Sequence, residues 1–172
     1  GERLDGSPLR GEPFLLEPWQ KFIIYNLLGF FHKGTIIRRF KEAFIFLPRK
    51  NGKTRFVAAL SWALALLERK SGSTIYIVGA ALRQAKQSFD FINFNLKQLG
   101  EEDNFRILAN NQESSISGDL GDGSIHIEAL AANPDKQDSL NCNIAIADEL
   151  HAYKKATQYN VIKEAKIGRA HV

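Results

Sequence analysis

Apolar positions along the chain switch between two spacings, and the switching outlines the elements. Trp19, Phe22, Ile23, Leu27 and Phe30 recur three or four residues apart and predict a helix over about 18–31, with Pro18 in its first turn. A short apolar run at 42–47, closed by Pro48, predicts a buried parallel strand. Phe56, Leu60, Ala63, Leu64 and Leu67 form the stripe of a second helix, which stops at Glu68-Arg69-Lys70 and Ser71-Gly72-Ser73. A β-branched strand follows at 74–78. Leu82, Ala85, Phe89, Ile92, Leu96 and Leu99 mark a third helix, closed by Gly100. Short strands are expected at 105–108 and 114–117. A hairpin with Asp122-Gly123 in its turn leads to a strand at 125–130. After a polar loop at 131–141, residues 142–147 read as another buried strand, with Asp148-Glu149 at its C-terminal end. Strands alternating with helices predict an α/β fold with a mainly parallel sheet flanked by helices.

Composition narrows this picture only a little. The 172 residues suffice for one domain with a real core, and 44% hydrophobic with 24% charged residues is ordinary for a globular chain. The apolar runs are too short and too interrupted to span a bilayer, and the N-terminus does not read as a signal peptide. Cys142 is the only cysteine, so no internal disulfide is expected, in keeping with a reducing compartment. The net charge of +4 permits a polyanionic partner without demanding one. Residues 1–13 read as an extended lead-in, rich in glycine, proline and charge. There is no methionine, and Ile167-Gly168-Arg169-Ala170-His171-Val172 matches one reading frame of a common sequencing adaptor. Residues 167–172 are therefore expected to be foreign, and 14–166 to be the native domain.

The candidate chemistry sits in two places. Arg49-Lys50-Asn51-Gly52-Lys53-Thr54 joins an apolar run to a helix, the layout of a phosphate-binding loop. A helix N-terminus aims backbone N–H groups and a positive dipole at an anion. Gly52 lets the backbone approach phosphate, Lys53 supplies a point charge for the terminal phosphates, and the Thr54 hydroxyl suits Mg²⁺. The full pattern wants a glycine five residues before Gly52, where Leu47 stands. The second place is Asp148-Glu149. Ligands gather beyond the carboxyl ends of parallel strands. There Asp148 can hold magnesium and Glu149 can polarise an attacking water, which with Lys53 makes a minimal set for phosphoryl transfer. By itself the Asp-Glu pair also fits an exposed acidic turn. Gln20 can donate to and accept from an adenine edge, or merely sit exposed beside a core tryptophan. His151 can sense the phosphate state or cap the next helix. The basic connector Lys33, Arg38, Arg39 and Lys41 can meet phosphate or only water.

With these residues placed, the chain resembles the ATPase domain of bacteriophage large terminases of the HK97-like type. The likeness runs from about Phe14 to Glu164. It rests on Pro18-Trp19-Gln20-Lys21-Phe22, Arg49-Lys50-Asn51-Gly52-Lys53-Thr54, Arg83-Gln84-Ala85-Lys86, Asp138-Ser139-Leu140-Asn141 and Asp148-Glu149-Leu150-His151-Ala152-Tyr153. The resemblance implies a P-loop NTPase of the additional-strand, catalytic-glutamate type. It implies ATP held by Gln20 and the loop Arg49, Lys50, Asn51, Gly52, Lys53 and Thr54. Mg²⁺ would be held by Thr54 and Asp148, and catalysis carried by Glu149, Lys53 and Arg49. The implied function is ATP hydrolysis that drives double-stranded DNA into a capsid. The implied partners are DNA, a portal protein, a small terminase subunit and further copies in a ring, with no membrane, in the cytoplasm of a bacterial host. A Ser/Thr-rich coupling motif and a nuclease domain are expected only beyond the residues present. Two other readings stand beside it: an Asp-Glu-x-His helicase or remodelling ATPase, against which Lys50 counts because those loops usually carry glycine there, and a non-catalytic nucleotide-binding module.

Overall fold

The computed structural model describes residues 14–48, 51–132 and 142–148. The chain divides into two compact units, Gly1–Pro48 and Arg49–Val172.

The first unit contains helix α1, Pro18–Gly29. Its N-terminus is capped locally: the Glu17 N–H donates to Gln20 Oε1 at 2.9 Å, which satisfies a donor the helix itself cannot reach. The periodicity anticipates a buried apolar stripe, yet the one buried residue of α1 is Gln20, while Phe22 and Tyr25 are exposed. After α1 the chain doubles back. His32 donates to the Ile37 carbonyl at 2.9 Å and Arg39 to the Phe30 carbonyl at 2.8 Å. Phe30 and Phe40 meet edge to face at 6.2 Å.

The expected strand at 42–47 does not form. No ladder includes these residues, and Phe44 and Phe46 are 77% and 86% exposed. An apolar run supplies a reason to be buried, but a strand also needs a partner edge for its N–H and C=O groups. No described strand pairs with this run.

The described part of the second unit is a five-stranded sheet with two helices against one face. In chain order it holds α2 (Lys53–Glu68), β1 (Ser73–Gly79), α3 (Leu82–Leu99), β2 (Arg106–Ala109), β3 (Ser114–Asp119), β4 (Ser124–Ala131) and β5 (Ile144–Ala147). The strand order is β2-β3-β4-β1-β5. β1 pairs in parallel with β4 and β5, whereas β3 runs antiparallel to β2 and β4. Four strands thus share one direction and β3 alone is reversed. The fold is α/β with a mostly parallel sheet, as the alternation predicts.

Side chains alternate across the sheet. Ile75, Ile77, Ile116 and Ile127 are fully buried on one face. Both α2 and α3 lie against β1 and β4, and they bring Phe56, Ala58, Leu64, Ala65, Phe89, Ile92 and Leu96 into the same core. The α2 stripe is rotated from its expected position. Val57, Ala58, Ser61 and Ala65 are buried, while Ala63 and Leu67 face outward. α3 ends as expected: Gly100 takes the left-handed conformation (φ 69°), and Glu101 donates back to the Leu96 carbonyl at 3.0 Å. β5 is an edge among the described strands and only half-buried, so its apolar run is not covered on both faces as the sequence suggests.

The β3–β4 hairpin turns one residue earlier than expected. Leu120 donates to the Gly123 carbonyl at 2.8 Å, with Gly121 left-handed (φ 80°) between them. Gly123 serves a different purpose. A Cβ there would stand 2.2 Å from the Arg69 carbonyl oxygen, so the hairpin packs backbone to backbone on the turn after α2. Arg69 then clamps Asp122 with two hydrogen bonds of 2.8 Å.

Candidate functional site

The loop before α2 ends at Gly52, the N-cap, which is left-handed (φ 69°, ψ 17°). A side chain rarely adopts this conformation, so glycine suits the position. Lys53 and Thr54 are the first two residues of the helix. The first bond inside it runs from Phe56 N–H to the Gly52 carbonyl at 3.0 Å. The amides of Lys53, Thr54 and Arg55 precede that bond and point outward at the positive end of the helix dipole. This is the local geometry that anions seek.

Asp148 reaches the same corner from the sheet. It follows β5, and its N–H donates to the Val78 carbonyl of β1 at 2.8 Å. That bond places it at the C-terminal end of two adjacent parallel strands. Its side chain is 7% exposed, and its Oδ1 stands 3.2 Å from Lys53 Nζ. Burial of a carboxylate is costly without a cation or several donors, so the pairing is what such a placement requires. Lys53 keeps 31% of its side chain in solvent and can turn toward an incoming phosphate. The structure thus joins two residues that the sequence reading assigned to one site.

The oxygen donors available, the Thr54 hydroxyl and the Asp148 carboxylate, suit a hard cation such as magnesium. No group of three or more His, Cys, Asp or Glu gathers among the described residues. Among the other expected site residues, Asn51 lies exposed just before Gly52. Gln20 is buried in the first unit and uses its Oε1 as a cap. Arg49, Lys50, Glu149 and His151 lie outside the described residues, as does Asp138-Ser139-Leu140-Asn141.

Two polar features escaped the sequence reading. Ser88, on the buried face of α3, donates its hydroxyl to the Thr54 carbonyl at 3.3 Å. Its only sequence signal is a serine among apolar positions of a helix stripe. On the sheet face away from the isoleucine core, Ser117 Oγ is 2.8 Å from His126 Nδ1, and His126 Nε2 is 3.2 Å from Glu128 Oε2. One neutral tautomer, with the proton on Nε2, satisfies both contacts. Tyr76 is paired with Glu128 across the strands. Burial pushes its hydroxyl pKa up, helped by the nearby Glu128 and Cys142 charges. Strand alternation alone does not reveal that these residues are neighbours, because the β3, β4 and β1 registers bring them together.

No curated protein sequence matches the chain. A family model described as "Terminase large subunit, ATPase domain" matches residues 18–171. Among solved structures, the large terminase ATPase domain of Thermus phage P74-26 is similar, with 18% identity and a TM-score of 0.52. The match covers 88% of this chain and 65% of that one, so the chain spans a little less than two thirds of that structure's length. At that identity the likeness speaks for the fold. No described helix is long and apolar enough to cross a membrane.

Proposed function

Since the chain belongs to the family of terminase large-subunit ATPase domains, we propose that it binds ATP with Mg²⁺ at the corner between α2 and β5 and hydrolyses it. The work done is translocation of double-stranded DNA into a viral capsid. The observation that carries this reading is the meeting of Lys53 Nζ and Asp148 Oδ1 at 3.2 Å, a helix-borne cation and a sheet-borne carboxylate at the C-terminal end of parallel strands.

Each residue has a role that follows from its chemistry. The amides at the start of α2 and the Lys53 ammonium bind the phosphates. Thr54 and Asp148 hold magnesium, which supplies charge neutralisation on the phosphates when bound. Glu149, next to Asp148 in the chain, orients and polarises the attacking water, and Arg49 reaches the terminal phosphate. Lys50, Asn51 and Gly52 complete the loop. Positioning and charge suffice here because little covalent chemistry is asked of the protein.

The whole assembly is read from the family. The partners are duplex DNA, a portal protein, a small terminase subunit and further copies of the chain in a ring, in the cytoplasm of a bacterial host and encoded by a virus or prophage. Nuclease activity belongs to a further domain of such proteins. Duplex affinity is expected to come from phosphate contacts and so to fall with salt.

The test is ATP turnover with Glu149→Gln and Lys53→Ala as comparators. Glu149→Gln is expected to retain nucleotide binding and lose turnover, and Lys53→Ala to lose binding in a calorimetric titration. Equal turnover for wild type and Glu149→Gln would remove the catalytic assignment.

A further inference from the structure

Ser61 and Ser88 are both serines in helix interiors with no exposed surface. Ser61 behaves as buried helix serines ordinarily do. Its hydroxyl donates to the Val57 carbonyl one turn back, at 2.7 Å. Ser88 does not turn to its own helix for an acceptor. Its hydroxyl crosses to α2 and donates to the Thr54 carbonyl at 3.3 Å. That carbonyl lies in the first turn of α2, on the residue whose own hydroxyl is the candidate magnesium ligand.

The other end of this tie is firmly held. α3 begins immediately after β1, and the two touch through backbone. A Cβ on Gly79 would stand 2.9 Å from both the Ala81 carbonyl oxygen and the Ala85 nitrogen. Gln84 folds back to accept the Ala81 N–H at 3.0 Å, closing the first turn of α3. Ala85 is fully buried, one turn before Ser88. The same end of β1 holds Asp148, through the Val78 carbonyl at 2.8 Å. The end of β1 therefore locates Asp148 directly, and Thr54 by way of α3 and Ser88.

We propose that Ser88 is a positioning residue for magnesium–nucleotide binding: by tying the first turn of α2 to α3, its hydroxyl keeps the Thr54 hydroxyl in register with the Asp148 carboxylate. This rests on the nucleotide reading above. It does not make Ser88 a ligand, since its buried hydroxyl is committed to the Thr54 carbonyl. A plain packing role would cost fold stability on removal and nothing more. A positioning role also loosens the first turn of α2 and weakens the coupling of metal to nucleotide.

The test compares Ser88→Ala, Ser88→Cys and Ser61→Ala in the full chain. Each is titrated with the non-hydrolysable analogue AMP-PNP at graded Mg²⁺ and in EDTA, and amide hydrogen exchange is followed without nucleotide. The bond is long for a hydroxyl donor, so its loss is placed at the weak end of a neutral hydrogen bond, and Ser88→Ala is expected to need about two- to threefold more Mg²⁺ for half-maximal binding. Binding in EDTA is expected to change less than the Mg²⁺ requirement. The first turn of α2 is expected to exchange faster in Ser88→Ala than in Ser61→Ala. Ser88→Cys, a weaker donor of similar shape, is expected between Ser88→Ala and wild type. Ser61→Ala is expected to lower the melting temperature without moving the Mg²⁺ requirement. If Ser88→Ala and Ser61→Ala give the same Mg²⁺ titration and the same exchange, the proposal is overturned while the nucleotide reading stands. If the wild type binds no AMP-PNP at any Mg²⁺ concentration, the nucleotide reading fails and this inference falls with it.

Discussion

The Lys53–Asp148 pair is asymmetric, and the asymmetry can be measured without any nucleotide. Asp148 is nearly enclosed, while almost a third of the Lys53 side chain is in solvent. At 3.2 Å and an effective dielectric of about 20, the gross attraction is about 5 kcal/mol. Most of it is offset by the desolvation of the carboxylate, so the gross figure is not what a substitution removes. The two single substitutions should differ. Lys53→Met keeps the aliphatic stem but withdraws the counter-charge from an enclosed carboxylate, which is expected to cost about 1–3 kcal/mol. Asp148→Asn leaves an amide of the same shape in the enclosed position and a lysine that can swing into water, for a cost below about 1 kcal/mol. The assay is urea unfolding followed by circular dichroism in magnesium-free, nucleotide-free buffer, with the double variant closing the cycle. A coupling energy near zero, or Asp148→Asn costing as much as Lys53→Met, would refute the argument. It would mean that the carboxylate draws its stabilisation from other donors and that the lysine is incidental.

Two further substitutions test the turn after α2. Gly123→Ala places a methyl 2.2 Å from the Arg69 carbonyl, and the required backbone shift is expected to cost at least about 2 kcal/mol in chemical unfolding. A change within error would mean the hairpin can slide away freely. Asp122 has its pKa held below the ordinary carboxylate value of 3.8, first by its hydrogen bond to Arg69. A depressed folded pKa gives stability that is present above the unfolded value and lost as pH falls through the folded one. Asp122→Asn is therefore expected to lower the melting temperature at pH 7 and to approach wild type in acid, below about pH 4. An unchanged difference at pH 7 and pH 3 would show that the guanidinium–carboxylate charge plays no part.

The features legible from the residues alone are short-range. The spacing of Ala85, Phe89, Ile92 and Leu96, with Gly100 after them, is enough to specify a helix and its end, because burial of one face and a left-handed cap are decided within a few turns. The same holds for β1 and for the Gly52-Lys53-Thr54 start of α2, where each chemical role is local to the residue. Whatever depends on a partner segment came from the packing of distant parts of the chain. β1 lies between β4 and β5 although both come later in the chain, and only that order brings Asp148 to Lys53. The run at 42–47 has the composition of a strand, but no described strand pairs with it, since ladder hydrogen bonds are made between segments and not within one. In α1 Gln20 is buried while Phe22 faces solvent, because burial follows from what packs against a helix and its period says only which residues share a face. The tie from Ser88 to Thr54 is of the same kind. A serine in an apolar stripe can bond to its own helix, as Ser61 does, or to a neighbour. The choice is made by the distance between two helices, which no local pattern encodes.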